Sequence, residues 1–160
     1  MKKFVSITIS DSRYIDKSIP DLSGDKIIEI LSNSNLLLHD KKIIPDEGNN
    51  ISNTLQSYLS QSEVDFIVTT GGTGVSPRDI TPDITNKFLE KKIYGIPEMI
   101  RSQSFNKLNT SILYRGLCGI SNDKLLLNLP GSPGGVEDGL KIVVPILDHI
   151  FSMISGDTKH

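Results

Sequence analysis

Val64-Asp65-Phe66-Ile67-Val68-Thr69-Thr70-Gly71-Gly72-Thr73-Gly74-Val75-Ser76-Pro77-Arg78-Asp79-Ile80-Thr81-Pro82 passes from a strand, through a glycine-rich loop, into a helix. Its opening is β-branched and aromatic with one charge, a run that suits a strand inside a parallel sheet covered on both faces. Gly71, Gly72 and Gly74 then permit a tight turn and a close approach of backbone N–H groups to a ligand. Thr81 is a good N-cap, and Pro82 suits the first helical position. The loop would join a strand's carboxyl end to a helix's amino end, where open α/β sheets bind ligands and anions are stabilised. It lacks the lysine of G-x-x-x-x-G-K-[ST], and Gly72-x-Gly74-x-x-Pro77 lacks the third glycine of a dinucleotide fingerprint. Arg78 and Asp79 stand where a plain turn would need only small residues. A glycine-rich structural turn is the competing reading.

Outward from this loop, strand and helix patterns alternate. Phe4 to Ile9 reads as the first strand and closes at the polar group Ser10-Asp11-Ser12-Arg13. A helix follows from about Gly24 to Asn33, with Ile27, Ile28, Ile30 and Leu31 as its apolar stripe. Leu36 to Ile44 reads as the second strand, ending at Pro45-Asp46-Glu47. From position alone Asp46 is a solvated turn aspartate, on the face where the central loop should also emerge. Asn49 or Asn50 is placed to cap a helix carrying Ile51, Leu55, Tyr58 and Leu59.

Beyond the central loop, a helix is expected from Pro82 to about Lys91, and a short one from Pro97. Asn109 to Ile120 is the least regular region. Ile112-Leu113-Tyr114-Arg115 suits a strand there, and Gly116 and Gly119 mark turns or a bulge. Lys124 to Leu129 is another continuous apolar strand. It runs into a second glycine-rich loop, Pro130-Gly131-Ser132-Pro133-Gly134-Gly135, with Ser132 as N-cap and Pro133 at the first helical position. The last helix buries Val136, Leu140, Val143, Leu147, Ile150 and Ile154, and Pro145 should divide it. Two such strand-to-helix loops suggest a site for a polyanionic ligand, although Glu137 and Asp138 compete for the second helix terminus.

A chain of 160 residues is the size of one domain with a sizeable core, and one domain spanning 1–160 is expected. The formal net charge of −2 offers no bulk positive field to nucleic acid. Lys2-Lys3, Lys41-Lys42 and Lys91-Lys92 read as solvated ends of elements. Cys118 is the only cysteine, which excludes an intrachain disulfide and makes a cysteine-based zinc site implausible; it reads as a small core residue. His39, His149 and His160 read as structural or surface groups, and nothing suggests a nucleophilic triad. No stretch is long or apolar enough for a signal peptide or membrane span, so a soluble cytoplasmic protein is the default expectation.

The motifs together resemble the molybdenum-cofactor biosynthesis family of the MoaB and MogA proteins and the gephyrin G domain. Thr69-Thr70-Gly71-Gly72-Thr73-Gly74 followed by Arg78-Asp79-x-Thr81-Pro82-Asp83 is similar to that family's signature. So are Ser10-Asp11-x-Arg13 with Asp21-x-Ser23-Gly24, Pro45-Asp46-Glu47, Gly95-x-x-Glu98-x-x-Arg101 and Leu129-Pro130-Gly131-Ser132-Pro133. The chain departs from the pattern at Ile96-Pro97, and at Tyr114-Arg115, where the family commonly has Ser-Arg.

The resemblance implies an α/β fold, a three-layer α/β/α sandwich with a mostly parallel central sheet, which the strand–helix alternation also favours. It implies binding of molybdopterin and transfer of AMP from ATP to its terminal phosphate, giving adenylyl-molybdopterin and pyrophosphate. Asp46 and Asp79 would be catalytic and would hold Mg²⁺. Ser10, Asp11, Thr70, Gly71, Gly72, Thr73, Gly74, Arg78, Glu98, Arg101, Pro130, Gly131, Ser132 and Pro133 would bind substrate and phosphate. Also implied are a homotrimer or homohexamer and hand-off of the product to a molybdate-insertion enzyme. Two alternatives stand beside this reading: a non-catalytic molybdopterin carrier of MoaB type, and a nucleotide-cleaving enzyme on the same fold. Retention of both aspartates disfavours the first, and a chain too short for a second domain disfavours the other.

Overall fold

The computed structural model describes residues 1–157, so His160 lies outside the described residues. Its sheet has the strands β1 (Lys3–Ile9), β2 (Leu37–Ile44), β3 (Phe66–Thr70), β4 (Lys91–Lys92), β5 (Cys118–Ser121) and β6 (Lys124–Leu129), in the order β2-β1-β3-β6-β5-β4. The first four in that order run parallel; β5 is antiparallel to β6, and β4 to β5. The helices are α1 (Asp11–Ile15), α2 (Leu22–Asn33), α3 (Gly48–Leu59), α4 (Thr81–Thr85), α5 (Gly95–Phe105), α6 (Pro133–Val143) and α7 (Leu147–Ile154).

The period of two in the strands divides the core. Phe4, Phe66, Val68, Leu125, Leu127 and Leu129 face one way and pack with Ile27 and Leu31 of α2, Ile100 of α5, Val136 and Leu140 of α6 and Phe151 of α7. Val5, Ile7, Ile9, Ile67 and Leu126 face the other way, against Ile51, Leu55 and Tyr58 of α3. The result is the expected α/β/α sandwich with a mostly parallel sheet.

Chain order decides where a ligand can sit. From β1 the chain crosses to β2 on one side, and then returns to β3 on the other side of β1. The gap between β1 and β3 is therefore the topological switch point, and the carboxyl ends of its strands open a crevice. Gly71, the first residue after β3, has φ +97°, and a Cβ there would collide with the Ile9 carbonyl at the end of β1. Glycine is required at that position. Gly71→Ala should cost about 2–3 kcal/mol of strain, lowering the melting temperature by about 5–10 °C. Gly134→Ala is the control, because a Cβ there meets nothing within 4 Å. Equal melting temperatures for the two variants would contradict this account.

Several boundaries differ from the sequence reading. Ser10–Arg13 is not only a turn, because Ser10 caps the short helix α1. The N-cap of α4 is Ile80, so Thr81 is already helical, and α3 starts after Glu47 without a side-chain cap. The helix expected from Pro82 to Lys91 stops at Thr85, because the following segment pairs with β5: Glu90 N–H bonds to the Ile120 carbonyl at 2.9 Å and Ile93 N–H to the Cys118 carbonyl at 2.8 Å. Lys91-Lys92 is thus a two-residue edge strand, and Lys41-Lys42 lies within β2 rather than at an end. The strand expected at Ile112–Arg115 is instead a 3-10 turn over Asn109–Leu113, after which the Arg115 N–H bonds to the Thr73 carbonyl. Pro145 divides the last helix as expected, within a 3-10 turn between α6 and α7.

Candidate active site

The parallel strands end in Ser10, Pro45-Asp46, Gly71-Gly72 and Pro130-Gly131, all at one edge of the sheet. The second loop is fixed from beneath. Thr70 Oγ1 donates to the Pro130 carbonyl at 2.6 Å and Ser23 Oγ to the Gly131 carbonyl at 2.7 Å. Ser132 caps α6 by accepting from Gly135 N–H at 3.1 Å, with Pro133 at the helix start. Gly131 abuts Gly71: a Cβ on the former would lie 3.4 Å from the latter's Cα, an ordinary contact. The two glycine loops thus form one continuous rim.

Asp11 and Asp46 clasp each other through reciprocal bonds. Asp11 N–H donates to Asp46 Oδ2 at 3.1 Å, and Asp46 N–H to Asp11 Oδ1 at 3.0 Å. Arg78 closes this clasp. Its Nε and Nη2 donate to Asp11 at 2.7 and 3.1 Å, and Nη2 also reaches Glu47 Oε1 at 3.0 Å and the Asp46 carbonyl at 3.2 Å. Arg78 therefore pairs with Asp11 and Glu47 and not with its neighbour Asp79. Its guanidinium serves Asp11 and Glu47 first, so a phosphate meets an arginine already engaged. Arg78 holds the Asp11 carboxyl below its ordinary range. The Asp46 carboxyl moves the other way: burial raises it, and the charges of Asp11 and Asp79 add to the rise, against the Asp11 N–H bond and Arg78.

Gly72, at φ +65°, joins the two halves of the site. A Cβ there would clash with Thr81 Oγ1 and lie 3.1 Å from Asp46 Oδ1, so glycine is what lets these groups crowd the loop. Thr81 is fully buried, yet its hydroxyl has no hydrogen-bond partner among the described residues. Gly72→Ala would consequently strain the fold itself, whereas Gly131 meets no such obstruction. Asp79 Oδ2 accepts from Ser76 N–H at 2.9 Å, which curls the far part of the loop.

Arg115 carries a role that the sequence reading did not assign. Its Nε donates to the Gly74 carbonyl at 2.7 Å, and Nη2 donates to the Asp79 carbonyl at 2.6 Å. Nη1 and Nη2 also meet the Asp83 carboxylate at 3.3 and 3.1 Å. This arginine clamps the glycine loop from outside. The signals in sequence were a basic residue in an irregular, glycine-flanked stretch and its match to the arginine of the family's Ser-Arg. Tyr114, beside it, is buried, and its hydroxyl donates to the Asn128 carbonyl.

A cavity of about 530 Å³ opens along the rim, within the size range of small-molecule sites. Gly72, Thr73, Gly74, Asp79, Pro130, Gly131 and Ser132 line one side; the end of α5 and the 3-10 turn after it line the other. Ser10, Asp11, Asp46 and Arg78 form the adjoining acidic cluster, reached through Gly72, while Thr70, Gly71 and Pro133 shape the backbone. Glu98 and Arg101 are not brought to this cavity. They line a separate groove of about 440 Å³, and Arg101 donates to the Tyr114 carbonyl at 3.2 Å.

Among the described residues, no helix is long and apolar enough to cross a membrane. None of their His, Cys, Asp and Glu side chains form a group of three that could hold a metal ion. A divalent ion here would need oxygen atoms from a substrate to complete its shell. The donor set allows that, because Mg²⁺ commonly takes one or two carboxylates together with phosphates.

Comparison with known proteins agrees with this architecture. The family described as "Probable molybdopterin binding domain" matches residues 6–149. A molybdopterin adenylyltransferase of Helicobacter pylori is 38% identical over 139 residues, covering 86% of this chain and 79% of that protein. The molybdenum cofactor synthesis protein cinnamon of Drosophila melanogaster is 35% identical over 98% of this chain, which spans only 26% of that longer protein. The crystal structure of the molybdopterin biosynthesis enzyme MoaB of Thermus thermophilus superposes with a TM-score of 0.89 at 33% identity, covering 98% of both chains. With its sheet order, its paired glycine loops and these matches in agreement, the chain belongs to the molybdopterin-binding-domain family of the MoaB and MogA proteins of molybdenum cofactor biosynthesis.

Proposed function

We propose that this chain is a molybdopterin adenylyltransferase. One observation carries the reading. Asp46 is partly buried beside Asp11 and Asp79, and among the described residues no cationic side chain pairs with its carboxylate: Arg78 bonds only to its carbonyl, and its charge offsets only part of the rise. Such an anion is costly unless a cation arrives with the substrate.

In the proposed reaction, the terminal phosphate oxygen of molybdopterin forms a bond to the α-phosphorus of ATP. The bond from that phosphorus to the β-bridging oxygen breaks, and pyrophosphate leaves. The attacking phosphate is already ionised, so neither aspartate has to act as a base. Backbone N–H groups of the two glycine loops receive the anionic groups. Asp46 and Asp79 would hold Mg²⁺, which supplies charge neutralisation between the two approaching anions. Arg115 fixes the curvature of the loop carrying Asp79, and Arg78 fixes the Asp11–Asp46 clasp. Incubation with molybdopterin, ATP and Mg²⁺ should yield adenylyl-molybdopterin over many turnovers, and chelation of the metal should stop it.

A second reading, a molybdopterin carrier of MoaB type, draws on Tyr114. Where the resemblance implies a serine, this chain spends the tyrosine hydroxyl on the Asn128 carbonyl. Tight molybdopterin binding without product would establish that reading.

The proposal includes a cytoplasmic homotrimer or homohexamer that hands its product to a molybdate-insertion enzyme. The apolar residues toward the end of α7 offer little free surface for such an interface. Phe151 packs edge-on against Phe66 in the core, and Ile150 and Ile154 cover it, leaving Met153 exposed. Exposed apolar side chains cluster instead on and after α5: Met99, Phe105, Leu108 and Ile112. Light scattering should give a mass of at least three chains; a mass of one chain at low concentration would refute assembly.

A further inference from the structure

Two buried hydroxyls beneath the second glycine loop decide which way its backbone points. Thr70 is 1% exposed and Ser23 4%. Neither lines the cavity that Pro130, Gly131 and Ser132 face. Thr70 Oγ1 donates to the Pro130 carbonyl at 2.6 Å, and Ser23 Oγ to the Gly131 carbonyl at 2.7 Å. These carbonyls belong to consecutive peptide units. In a trans peptide the carbonyl and the N–H that follows it point in opposite directions. With both carbonyls drawn inward, the N–H groups of Gly131 and Ser132 turn the other way, toward the cavity. Among the described residues neither N–H has a hydrogen-bond partner. Two adjacent open N–H groups make a concave seat for an anion, and Ser132 also begins α6, whose positive end adds to it.

Ser23 is the more informative of the two, because it comes from a helix with no other part in the site. It sits in the first turn of α2, 108 residues before Gly131. The N-cap of that helix, Asp21, accepts from Gly24 N–H at 3.0 Å and from Thr8 Oγ1 of β1 at 2.8 Å. Lys41 Nζ of β2 lies 3.4 Å from the same carboxylate. The start of α2 is therefore fixed to two strands, and Ser23 carries that fixed position to the loop. This gives Asp21-x-Ser23-Gly24 a place in the site that its distance in sequence concealed. Donors oriented before a ligand arrives need no reorganisation when it binds.

We infer that Ser23 is a positioning residue: it touches no ligand and, together with Thr70, aims the Gly131 and Ser132 N–H groups at a substrate phosphate. The identity of that phosphate rests on the adenylyl-transfer reading, in which molybdopterin and ATP each carry one.

The test combines Ser23→Ala, Thr70→Val and their double variant with Ser23→Thr and Thr70→Ser, which keep the hydroxyls. Calorimetric Kd for molybdopterin and for ATP, each alone, is read beside the melting temperature without ligand. Each hydroxyl deletion should weaken one of the two ligands by about 5- to 10-fold, and the double variant by about 30- to 100-fold. The variants that keep the hydroxyls should recover most of that affinity. A pair of purely structural bonds would move the melting temperature alone, so unchanged Kd values for both ligands in the folded single variants overturn the inference. Should hydroxyl deletion prevent folding, amide spectra of the ¹⁵N-labelled wild type decide. The Gly131 and Ser132 signals should shift on addition of one of the two ligands, and signals that stay in place with both overturn the inference. None of these readouts needs turnover. Binding without product would sink the transfer reading and leave Ser23 in its role, whereas product formation with unchanged Kd values in the variants would remove Ser23 alone.

Discussion

Asp46→Asn is expected to lower the rate of adenylyl transfer by about 10²–10³-fold, the range for losing one electrostatic stabiliser, and to leave molybdopterin binding near wild type. Asparagine can still accept the Asp11 N–H bond through its amide oxygen, so the clasp between the ends of β1 and β2 should survive. What disappears is the negative charge at the rim. The same substitution has a stability signature opposite to that of a structural residue. Burial and neighbouring acids raise the Asp46 carboxyl in the folded protein, so ionising it opposes folding. That penalty is absent below the ordinary carboxylate value, grows as pH rises through the raised value, and is complete at neutral pH. Asp46→Asn should therefore melt at the same or a higher temperature at pH 7, and the difference should fade toward pH 4. The acid limb of kcat/KM in the wild type should sit above the ordinary carboxylate range. Wild-type turnover by the variant would remove Asp46 from the reaction.

Arg115→Met should produce the second large effect. The substitution removes the bonds to the Gly74 and Asp79 carbonyls and the pair with Asp83, while the Arg115 N–H bond to Thr73 remains. The side chain is 38% exposed, so solvent screens part of the contribution, and about 2 kcal/mol of stability is a fair expectation. The effect on rate should be larger. The clamp sets the position of Asp79 relative to the cavity, and a displacement of about 1 Å in a reacting constellation costs about 10²-fold. Arg115→Lys separates the two roles. Its single ammonium can restore the pair with Asp83, but cannot span both carbonyls with fixed geometry. It should recover melting temperature before it recovers kcat. A variant that lost stability but kept wild-type kcat and KM would make Arg115 a purely structural clamp.

What the sequence disclosed and what it hid follow one division. Phe66–Val68, Leu125–Leu129 and the alternation along Phe4–Ile9 read correctly, because a strand buried on both faces needs apolar residues at consecutive positions. Ser132, Pro133 and Pro145 read correctly, because capping and kinking are local. The errors arose where distant partners decide. Lys91-Lys92 pairs with Gly119 and Ile120, which no local propensity encodes. Arg78 turns away from Asp79 toward Asp11, 67 residues earlier in the chain. Arg115 reaches Asp79 across 36 residues. Of the expected site, the glycine loops and Asp79 line one cavity and Asp46 lies beside it at Gly72, whereas Glu98 and Arg101 face another groove.

The central claim concerns one bond, and the fate of labelled phosphorus tests it most directly. The protein is incubated with molybdopterin, Mg²⁺ and ATP labelled at either the α- or the γ-phosphorus, and the products are separated. The account predicts that α-label moves into the pterin-containing product, that γ-label appears in pyrophosphate, and that the two are equal in amount. Label released as free AMP or ADP, or molybdopterin that binds but acquires no α-label, would contradict it.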